Sequence, residues 1–262
     1  MHRVIAVTGG SSGIGKAIAR LFAQKGCTVY ELSRSGKDDS GVIHITADVT
    51  DEAALAAAFE KIAAEHDCID VLVNCAGFGI SGAIEFTDIA DAQRQMDVNF
   101  FGTVRATQQA LPYLRKSGRA SIVNISSMGA PLALPFQAFY SCSKSAINAL
   151  TLALANELRQ FGIAVSAVMP GDVVTGFTDA REKSVAGNEL YGSTIEKSVS
   201  TMEKDERGGM SPDRIAKKVW SLSKKKHPKP LSTVGLQYKF FAFLHKALPA
   251  RLVNWIVGKI YT

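Results

Sequence analysis

The 262-residue sequence contains few cysteines and no apolar run long enough to cross a bilayer. Its four cysteines lack the spacing of metal ligands, so we expect small core residues in a reducing compartment, and we predict no metal site. The chain starts with Met-His-Arg directly before an apolar run, which leaves no room for a signal peptide. These features favour a cytoplasmic location.

Charged residues are also moderate in number. They make up 21% of the chain against 47% apolar residues, which is ordinary for a globular protein and argues against disorder. Much of the net charge of +6 comes from late lysines: Lys217, Lys218, Lys224, Lys225, Lys226 and Lys229. Such a cluster is usually a solvated helix face, and without stacking aromatic residues or a recognition motif it does not predict nucleic-acid binding.

Short apolar runs alternate with helical patterns along most of the chain. Strands are predicted at 4–7, 27–32, 42–45, 69–73, 121–125 and 163–168, and helices at 16–25, 53–64, 91–116 and 140–159. This alternation predicts an α/β fold with a parallel sheet covered on both faces. Right-handed crossovers make it a single Rossmann-type, doubly wound domain.

The alternation stops between Gly171 and Gly209, where Gly, Ser, Thr and charged residues dominate. A long segment of this kind usually forms a lid or binding loop, so we expect a substrate loop at about 171–210. A helix then begins at Ser211-Pro212-Asp213, which supplies an N-cap, a first-turn proline and an acidic residue. The catalytic domain is expected to cover residues 1–235.

Residues 236–262 form an apolar and basic extension of the same domain, which we expect to be helical. Neither of its two apolar stretches approaches the roughly 20 residues needed to span a bilayer. Three roles compete for this extension. It caps the substrate cleft, packs on a partner subunit, or lies in a membrane interface with its lysines outward, as a peripheral contact.

A glycine-rich turn follows the first predicted strand. Gly9, Gly13 and Gly15 give a Gly-x-x-x-Gly-x-Gly spacing between that strand and the first helix. Glycine permits a sharp turn and a close approach of the backbone to a pyrophosphate, which rests on the helix N-terminus. The expected contacts include the intervening residues Ser11, Ser12 and Ile14.

The end of the second strand indicates which nicotinamide cofactor fits. An acidic side chain there pairs with the ribose of NAD, whereas a basic one accommodates the extra phosphate of NADP. Ser33 stands where the acid is expected, and Arg34 follows it. Glu31, two residues earlier, either points elsewhere or pairs structurally, or is itself the ribose ligand. We favour NADP(H) over NAD(H).

A hydroxyl, a phenol and an ammonium are spaced for proton transfer to or from an oxygen. Tyr140 follows Ser127 by thirteen residues, and Lys144 lies four residues further on. A tyrosine hydroxyl has an ordinary pKa of about 10, so it acts near neutrality only if a nearby group favours its anion. On a helix, Lys144 shares a face with Tyr140 and can supply that charge. A buried aromatic residue and an unrelated surface lysine would show the same spacing.

Together the motifs resemble those of the short-chain dehydrogenase/reductase family, over about residues 3 to 235. In the family's order, the sequence contains Thr8-Gly-x-x-x-Gly-x-Gly15, Asn74-x-Ala-Gly77, Asn99 after Met96-Asp-Val, Ser127, Tyr140-x-x-x-Lys144 and Pro170-Gly171-x-Val-x-Thr175. The resemblance implies that Tyr140 is the catalytic acid–base and that Ser127, not Ser126, steadies the substrate oxygen. It implies that Lys144 lowers the tyrosine pKa and holds the nicotinamide ribose, while Asn99 fixes a water on the proton path.

The resemblance also implies further cofactor contacts. Asp48 and Val49 match the adenine-contacting pair, and Asn74 matches the residue that braces the central sheet. Val173 and Thr175 match the contacts to the nicotinamide carboxamide. The remaining contacts lie in the shared motifs: Ala76, Gly77, Pro170 and Gly171. Cys75 is a small departure from the pattern.

Within the family, Leu134-Pro-Phe136 and the tail resemble the branch that acts on steroids, retinoids and similar lipophilic alcohols. The sequence therefore predicts an NADP(H)-dependent carbonyl reductase or alcohol dehydrogenase with a lipophilic substrate. A reductase of acyl-chain ketones is the alternative enzyme, and a nucleotide-sensing protein without turnover is the alternative outside enzymes. The family's habit implies a homodimer or homotetramer built on the two long central helices.

Overall fold

A computed structural model describes residues 3–184 and 186–262. Met1, His2 and Val185, the last within the predicted substrate loop, lie outside these ranges. The strands are β1 Val4–Thr8, β2 Thr28–Ser33, β3 Val42–Thr46, β4 Val71–Asn74, β5 Ile80–Ser81, β6 Ser121–Ile125, β7 Ala164–Met169, β8 Glu182–Lys183 and β9 Leu231–Thr233. The helices are α1 Gly13–Gln24, α2 Glu52–His66, α3 Ile89–Met96, α4 Gly102–Leu114, α5 Ala138–Glu157, α6 Phe177–Ala180, α7 Asn188–Tyr191, α8 Thr194–Arg207, α9 Pro212–Ser223, α10 Leu236–Ala247 and α11 Ala250–Tyr261.

A seven-stranded parallel sheet in the order β3-β2-β1-β4-β6-β7-β9 forms the centre of the molecule. Its strand order reverses between β1 and β4, as in a doubly wound sheet. The predicted fold class is confirmed, and each of the six predicted strands lies within two residues of its predicted ends. The seventh strand, β9, was missed because it has three residues and follows Pro230.

Helices cover both faces of this sheet. Alternate residues of β1 point to opposite sides, so Ala6 packs with α2 and α4 while Val7 packs with α1 and α9. Phe22 of α1 meets Trp220 of α9 edge to face, with ring centroids 5.0 Å apart. Because both faces are buried, the central strands are apolar throughout.

Two predicted segments differ from the structure. The helix predicted over 91–116 runs from Ile89 to Leu114, but it contains a π-helical turn over Asp97–Phe101 that apolar periodicity does not reveal. The predicted loop at about 171–210 is largely helical. In α8 the residues Ile195, Ser198 and Met202 are buried at helical spacing, and this stripe was hidden among polar neighbours.

A chain of buried polar side chains ties α4 to α5 through the middle of the sheet. The Asn74 amide donates to Thr107 Oγ1 at 3.1 Å and to Asn124 Oδ1 at 2.9 Å. The Asn124 amide donates in turn to Thr151 Oγ1 on α5 at 2.9 Å. Thr107 and Thr151 each donate to a backbone carbonyl one turn earlier in their own helix. The position of α5 therefore depends on this chain.

The C-terminal extension forms two helices, α10 and α11, as predicted. Among residues 3–184 and 186–262, no helix is both long and apolar enough to span a membrane.

Replacing Asn124 with alanine should lower the free energy of unfolding by about 2–4 kcal/mol, because the Asn74 amide loses its acceptor in a buried site. Urea unfolding followed by circular dichroism measures this change. The control is the exposed Asn156 of α5, and Asn156→Ala should change stability by less than about 0.5 kcal/mol. Equal losses in the two variants would contradict the role of the polar chain.

Candidate active site

The loops that follow β1, β2, β4, β6 and β7 open into one cavity of about 1540 Å³. They leave the carboxyl ends of parallel strands, the edge at which open α/β sheets bind ligands. The cavity brings together most of the predicted site residues: Gly9, Ser11, Ser12, Gly13, Ile14, Gly15, Ser33, Arg34, Asp48, Val49, Ala76, Gly77, Ser127, Tyr140, Lys144, Pro170, Gly171, Val173 and Thr175. Asn74 and Asn99 are not among the lining residues and lie behind its wall.

The glycine turn between β1 and α1 has no room for a side chain at Gly9 or at Gly15. A Cβ atom on Gly9, where φ is +67°, would lie 2.8 Å from the Cα of Ala76. A Cβ on Gly15 would lie 2.1 Å from the carbonyl oxygen of Gly9. The backbone at this turn is therefore bare toward the cavity and beside the start of α1. Such a cradle fits the pyrophosphate of a dinucleotide.

The end of β2 presents Ser33 and the exposed Arg34 to the cavity. The Glu31 carboxylate is buried, forms a short hydrogen bond with His44 Nδ1 and accepts a hydrogen bond from Ser33 Oγ at 3.3 Å. Its other oxygen, Oε2, is buried with no hydrogen-bond partner in the described part of the chain. Glu31 is thus engaged by His44, while Arg34 leaves a cation at the mouth of the cavity.

The other predicted cofactor residues line the cavity after β3 and after β7. Asp48 Oδ1 accepts hydrogen bonds from the backbone and side chain of Thr50, both at 2.9 Å, which fixes its carboxylate. Val49 packs on Gly102, where an added Cβ would lie 2.7 Å from the valine. Pro170 and the residues after it form the opposite wall.

Asn74 and Asn99 act behind this surface. Asn74 belongs to the polar chain that holds α4 and α5. Asn99 lies in the π-helical turn and is 1% exposed. Its amide donates to the Phe78 carbonyl at 3.0 Å and to Ser143 Oγ at 3.1 Å, and its Oδ1 accepts from the Phe78 N–H at 3.0 Å. Asn99 therefore holds the loop after β4 against the helical turn between Tyr140 and Lys144.

The first turns of α5 place the phenol and the ammonium on one face. Lys144 is 7% exposed, and its Nζ donates to the Ile125 carbonyl at 3.0 Å. The same Nζ lies 5.8 Å from the centroid of the Tyr140 ring. Ser126 donates to the Lys144 carbonyl at 3.1 Å, so its hydroxyl anchors α5. The Ser127 hydroxyl is left to face Tyr140, which separates the roles of the two serines.

Burial dominates the ionisation of this pair. It raises the pKa of Tyr140, and a hydrogen bond to the Ser127 hydroxyl and the charge of Arg181 lower it only in part. The resemblance implied a lowered tyrosine pKa, and the structure gives a raised one because the phenolate would lose its hydration. Burial also lowers the pKa of Lys144 to about 8. At neutral pH the Tyr140 phenol is therefore protonated, and Lys144 is mostly an ammonium that can lose its proton slightly above neutral pH.

Sequence reasoning missed a buried ion pair beside Tyr140. Phe177 packs on Tyr140 with ring centroids 5.8 Å apart, and the Arg181 guanidinium lies 5.6 Å from the Phe177 centroid. Arg181 pairs with Glu206, whose carboxylate also accepts from Thr178 Oγ1 at 2.7 Å. The two charges are 25 residues apart in a segment interpreted as a loop, so no local pattern could pair them.

The extension closes the far end of the cavity. The Tyr238 hydroxyl of α10 donates to Asp172 Oδ2 at 2.6 Å and accepts from the Asp172 N–H at 3.0 Å. Its ring covers Gly171, where an added Cβ would lie 2.1 Å from the ring. The apolar lining from the two helices includes Phe241, Leu244, Leu248, Val253, Ile256 and Val257. Of the three expected roles, capping the cleft is the one that these contacts display.

Taken together, these residues place a hydroxyl pair in a cavity that has an apolar lining at one end and a bare glycine turn at the other. In the described ranges, no three His, Cys, Asp or Glu side chains are grouped to hold a metal ion. The arrangement can bind a dinucleotide along the sheet edge and exchange a proton with an oxygen near Tyr140.

Three comparisons relate this chain to known proteins. Residues 3–186 match the family described as short chain dehydrogenase. A relative named 3-ketodihydrosphingosine reductase, from Bacteroides thetaiotaomicron, is 37% identical over 263 residues, covering 99% of this chain and 98% of the relative.

Two solved structures are similar as well. A short-chain dehydrogenase from Streptomyces avermitilis has a TM-score of 0.85 at 29% identity, covering 98% of this chain and 97% of that one. ElxO, solved with NADP bound, has a TM-score of 0.74 at 25% identity, covering 92% of this chain and 100% of that one. The family match spans most of the chain and includes the glycine turn, Tyr140 and Lys144. The chain is an oxidoreductase of the short-chain dehydrogenase/reductase family.

Proposed function

We propose that this protein is an NADP(H)-dependent reductase of ketones carried by long apolar molecules. The observation that carries the proposal is the single cavity that joins three parts. One end holds the glycine turn with Arg34, the middle holds Ser127 and Tyr140, and the far end is lined by the apolar faces of α10 and α11.

The preference for NADP(H) is supported by charge at the end of β2. Arg34 is an exposed cation at the mouth of the cavity, and a guanidinium suits the planar, bidentate binding of phosphate. The Glu31 carboxylate is buried and its Oε1 is hydrogen-bonded to His44 and Ser33, so it is held within the protein and is not free at the mouth of the cavity. The similar structure of ElxO contains NADP.

The chemistry needs a proton and a hydride at the two ends of a carbonyl bond. NADPH, when bound, supplies the hydride to the carbonyl carbon. The Tyr140 hydroxyl gives its proton to the carbonyl oxygen, and the Ser127 hydroxyl donates a hydrogen bond to the same oxygen. Both donors are fixed before the oxygen gains negative charge, so they stabilise the transition state more than the ketone. The product is an alcohol.

Lys144 restores the phenol after proton transfer. With a pKa of about 8, its ammonium can release a proton near neutral pH, and when charged it favours the Tyr140 anion. A raised tyrosine pKa suits reduction, because the phenol stays protonated until the substrate oxygen gains negative charge and accepts the proton. The hydrogen bond from Lys144 Nζ to the Ile125 carbonyl holds the ammonium near the Tyr140 ring.

The substrate class follows from the lining of the far end. Apolar side chains of α10 and α11 favour a lipophilic molecule, either a steroid- or retinoid-like alcohol or ketone, or a ketone on an acyl chain. The relative from Bacteroides thetaiotaomicron is named for a ketone of the sphingoid kind, which favours the chain ketone.

A cluster of carboxylates between Tyr140 and the extension supports an amino ketone in particular. Asp172, Asp205 and Glu206 line the cavity. The Glu206 charge acts on Tyr140, and burial together with the charges of Asp205 and Glu206 raises the pKa of Asp172. An ammonium group on the substrate would relieve this repulsion. 3-Ketodihydrosphingosine, a long-chain amino ketone, has the required features.

The direct test is the absorbance of NADPH and NADH with a panel of ketones: 3-ketodihydrosphingosine, 3-ketoacyl thioesters, steroids, retinoids and small ketones. The proposal expects the largest kcat/KM for NADPH with a long-chain ketone. Equal rates with small polar ketones would remove the lipophilic substrate class, and no turnover with any of them would favour the nucleotide-sensing alternative.

The proposal includes a cytoplasmic homodimer or homotetramer built on α4 and α5. Exposed apolar side chains near these helices, Phe101, Leu152 and Phe161, support an interface there. Light scattering after gel filtration measures the assembly.

Replacing Tyr140 with phenylalanine should lower kcat by about 10²–10⁴-fold, because the ring and its packing stay while the proton donor is lost. NADPH affinity, measured by fluorescence titration, should change by less than about threefold. Retained turnover in this variant would contradict the assigned proton donor.

Replacing Arg34 with glutamate should weaken NADPH binding by about 10²-fold and NADH binding far less, since only NADPH carries the extra phosphate. Fluorescence titration with each cofactor measures the ratio. Lys25→Glu makes the same change of charge at an exposed site away from the cavity and should leave the ratio unchanged. An equal loss for both cofactors in the Arg34 variant would point to Glu31 as the ribose ligand.

Lys144→Met should stabilise the fold at neutral pH while abolishing turnover. The native pKa of Lys144, about 8, lies below the ordinary 10.5, so between these values the unfolded state binds more protons and stability rises with pH. The variant should exceed the wild type by about 2–3 kcal/mol at pH 7, with the difference fading toward pH 10.5.

Urea unfolding from pH 7 to pH 10 measures this difference. The exposed Lys61 on α2 is the matched control, and Lys61→Met should show no such pH dependence. If the difference in the free energy of unfolding between the wild type and Lys144→Met stays constant over this pH range, Lys144 is not buried as a charge.

A further inference from the structure

Positive charge is concentrated at the end of the chain. After Asp213, the remaining 49 residues contain eleven lysines and arginines and neither aspartate nor glutamate. Because the whole chain carries +6 and this segment carries +11, the residues before it carry a net −5. The segment includes most of α9 and all of α10 and α11. The charge of the protein is thus segregated by sequence.

Folding gathers several of these charges at one place. Lys218 of α9 is close enough to Lys225, Lys229 and Lys239 for their charges, after burial, to lower its pKa. Lys239 belongs to α10, so the lysines after α9 and the first turn of α10 form one basic surface. An anion bound there would relieve their mutual repulsion.

The outward face of α10 is apolar beside this basic surface. Leu236, Phe240 and Phe243 recur at helical spacing and are 84%, 57% and 64% exposed. On α11, Trp255 is 60% exposed and lies one turn before Lys259. Aromatic rings next to lysines are the composition of helices that lie in a membrane interface.

The inward faces of the same two helices line the substrate cavity. Phe241 and Leu244 of α10 and Val253 and Val257 of α11 contact it. These helices therefore have two apolar faces, one toward the cavity and one toward solvent. A helix that only closed the cleft would need the first face alone.

A second copy of this chain is a poor occupant for the outward face. In a two-fold interface the same surface meets itself, so the lysines of both copies would face each other without an acidic partner. A surface of negative charge with an apolar layer beneath it matches both the lysines and the aromatic rings.

We propose that the outward face of α10 and α11 docks on an anionic lipid bilayer, from which lipid substrates enter the cavity. This inference rests on the proposed function for its substrate. The rings insert among the acyl chains near the headgroups, and Lys239, Lys246 and Lys259 contact the lipid phosphates. The inward faces then guide the chain of the substrate toward Tyr140.

The test is flotation of the purified full chain with vesicles of phosphatidylcholine alone or with about one third phosphatidylglycerol. The proposal expects binding to the anionic vesicles that weakens steeply with salt, and at least about tenfold weaker binding to the neutral ones. Absence of binding to anionic vesicles at low salt would overturn it.

Variants locate the contact. Leu236→Ser with Phe243→Ser should lower binding by about tenfold or more, because two exposed apolar anchors are lost. The matched control is Ile84→Ser with Ile89→Ser, which removes two exposed apolar side chains outside the segment and should leave binding unchanged. Equal vesicle binding by the two double variants would overturn the assignment of this face to the bilayer. It would also be overturned if the wild type were an oligomer and the Leu236→Ser/Phe243→Ser variant a monomer, because the face would then be a subunit interface.

Two measurements separate this proposal from the proposed function. Tyr140→Phe should bind anionic vesicles as the wild type does while lacking turnover. The Leu236 and Phe243 pair should keep wild-type kcat with a ketone presented in detergent and lose activity only when that ketone is presented in vesicles. Loss of both activities alike would contradict delivery from the bilayer.

Discussion

The structure depends on keeping one lysine ammonium away from water beside a phenol. Lys144 is held by the Ile125 carbonyl, and three contacts hold the helix that carries it. Ser126 bonds to its backbone carbonyl, Asn99 bonds to Ser143, and the polar chain from Asn74 ends at Thr151. These polar groups lie under the apolar sheet edge, where each would be costly without a partner. Their pairing fixes the geometry of the site.

The cavity extends this constraint toward the substrate. Its dinucleotide end is shaped by backbone, because Gly9 and Gly15 have no room for side chains. Its far end is shaped by α10 and α11, which the Tyr238–Asp172 hydrogen bond fastens to the loop after β7. Burial of the centre raises the pKa of Tyr140 and lowers that of Lys144, so proton transfer is favoured only when a substrate oxygen takes the proton. Binding and chemistry share the same desolvated space.

Local signals in the sequence were sufficient for the sheet and for much of the site. The strands, the glycine turn and the spacing of Tyr140 and Lys144 are patterns within a few residues, and parallel strands bring their ends together whatever lies between. The π-helical turn, the short β9 and the Arg181–Glu206 pair depend on contacts distant in sequence, so no local pattern marked them. The raised pKa of Tyr140 also could not be foreseen, because it results from burial beside Phe177 of α6, in a segment that was interpreted as a loop.

Isotope labelling can follow the hydride from NADPH to a long-chain ketone. NADPH carrying deuterium at the transferable C4 position is incubated with 3-ketodihydrosphingosine and the wild-type protein, and the lipid product is examined by mass spectrometry. Hydride transfer should give an alcohol with one deuterium on the carbon that bore the ketone, formed in step with NADPH consumption. NADPH oxidation without a deuterated alcohol, or an alcohol without the label, would contradict it.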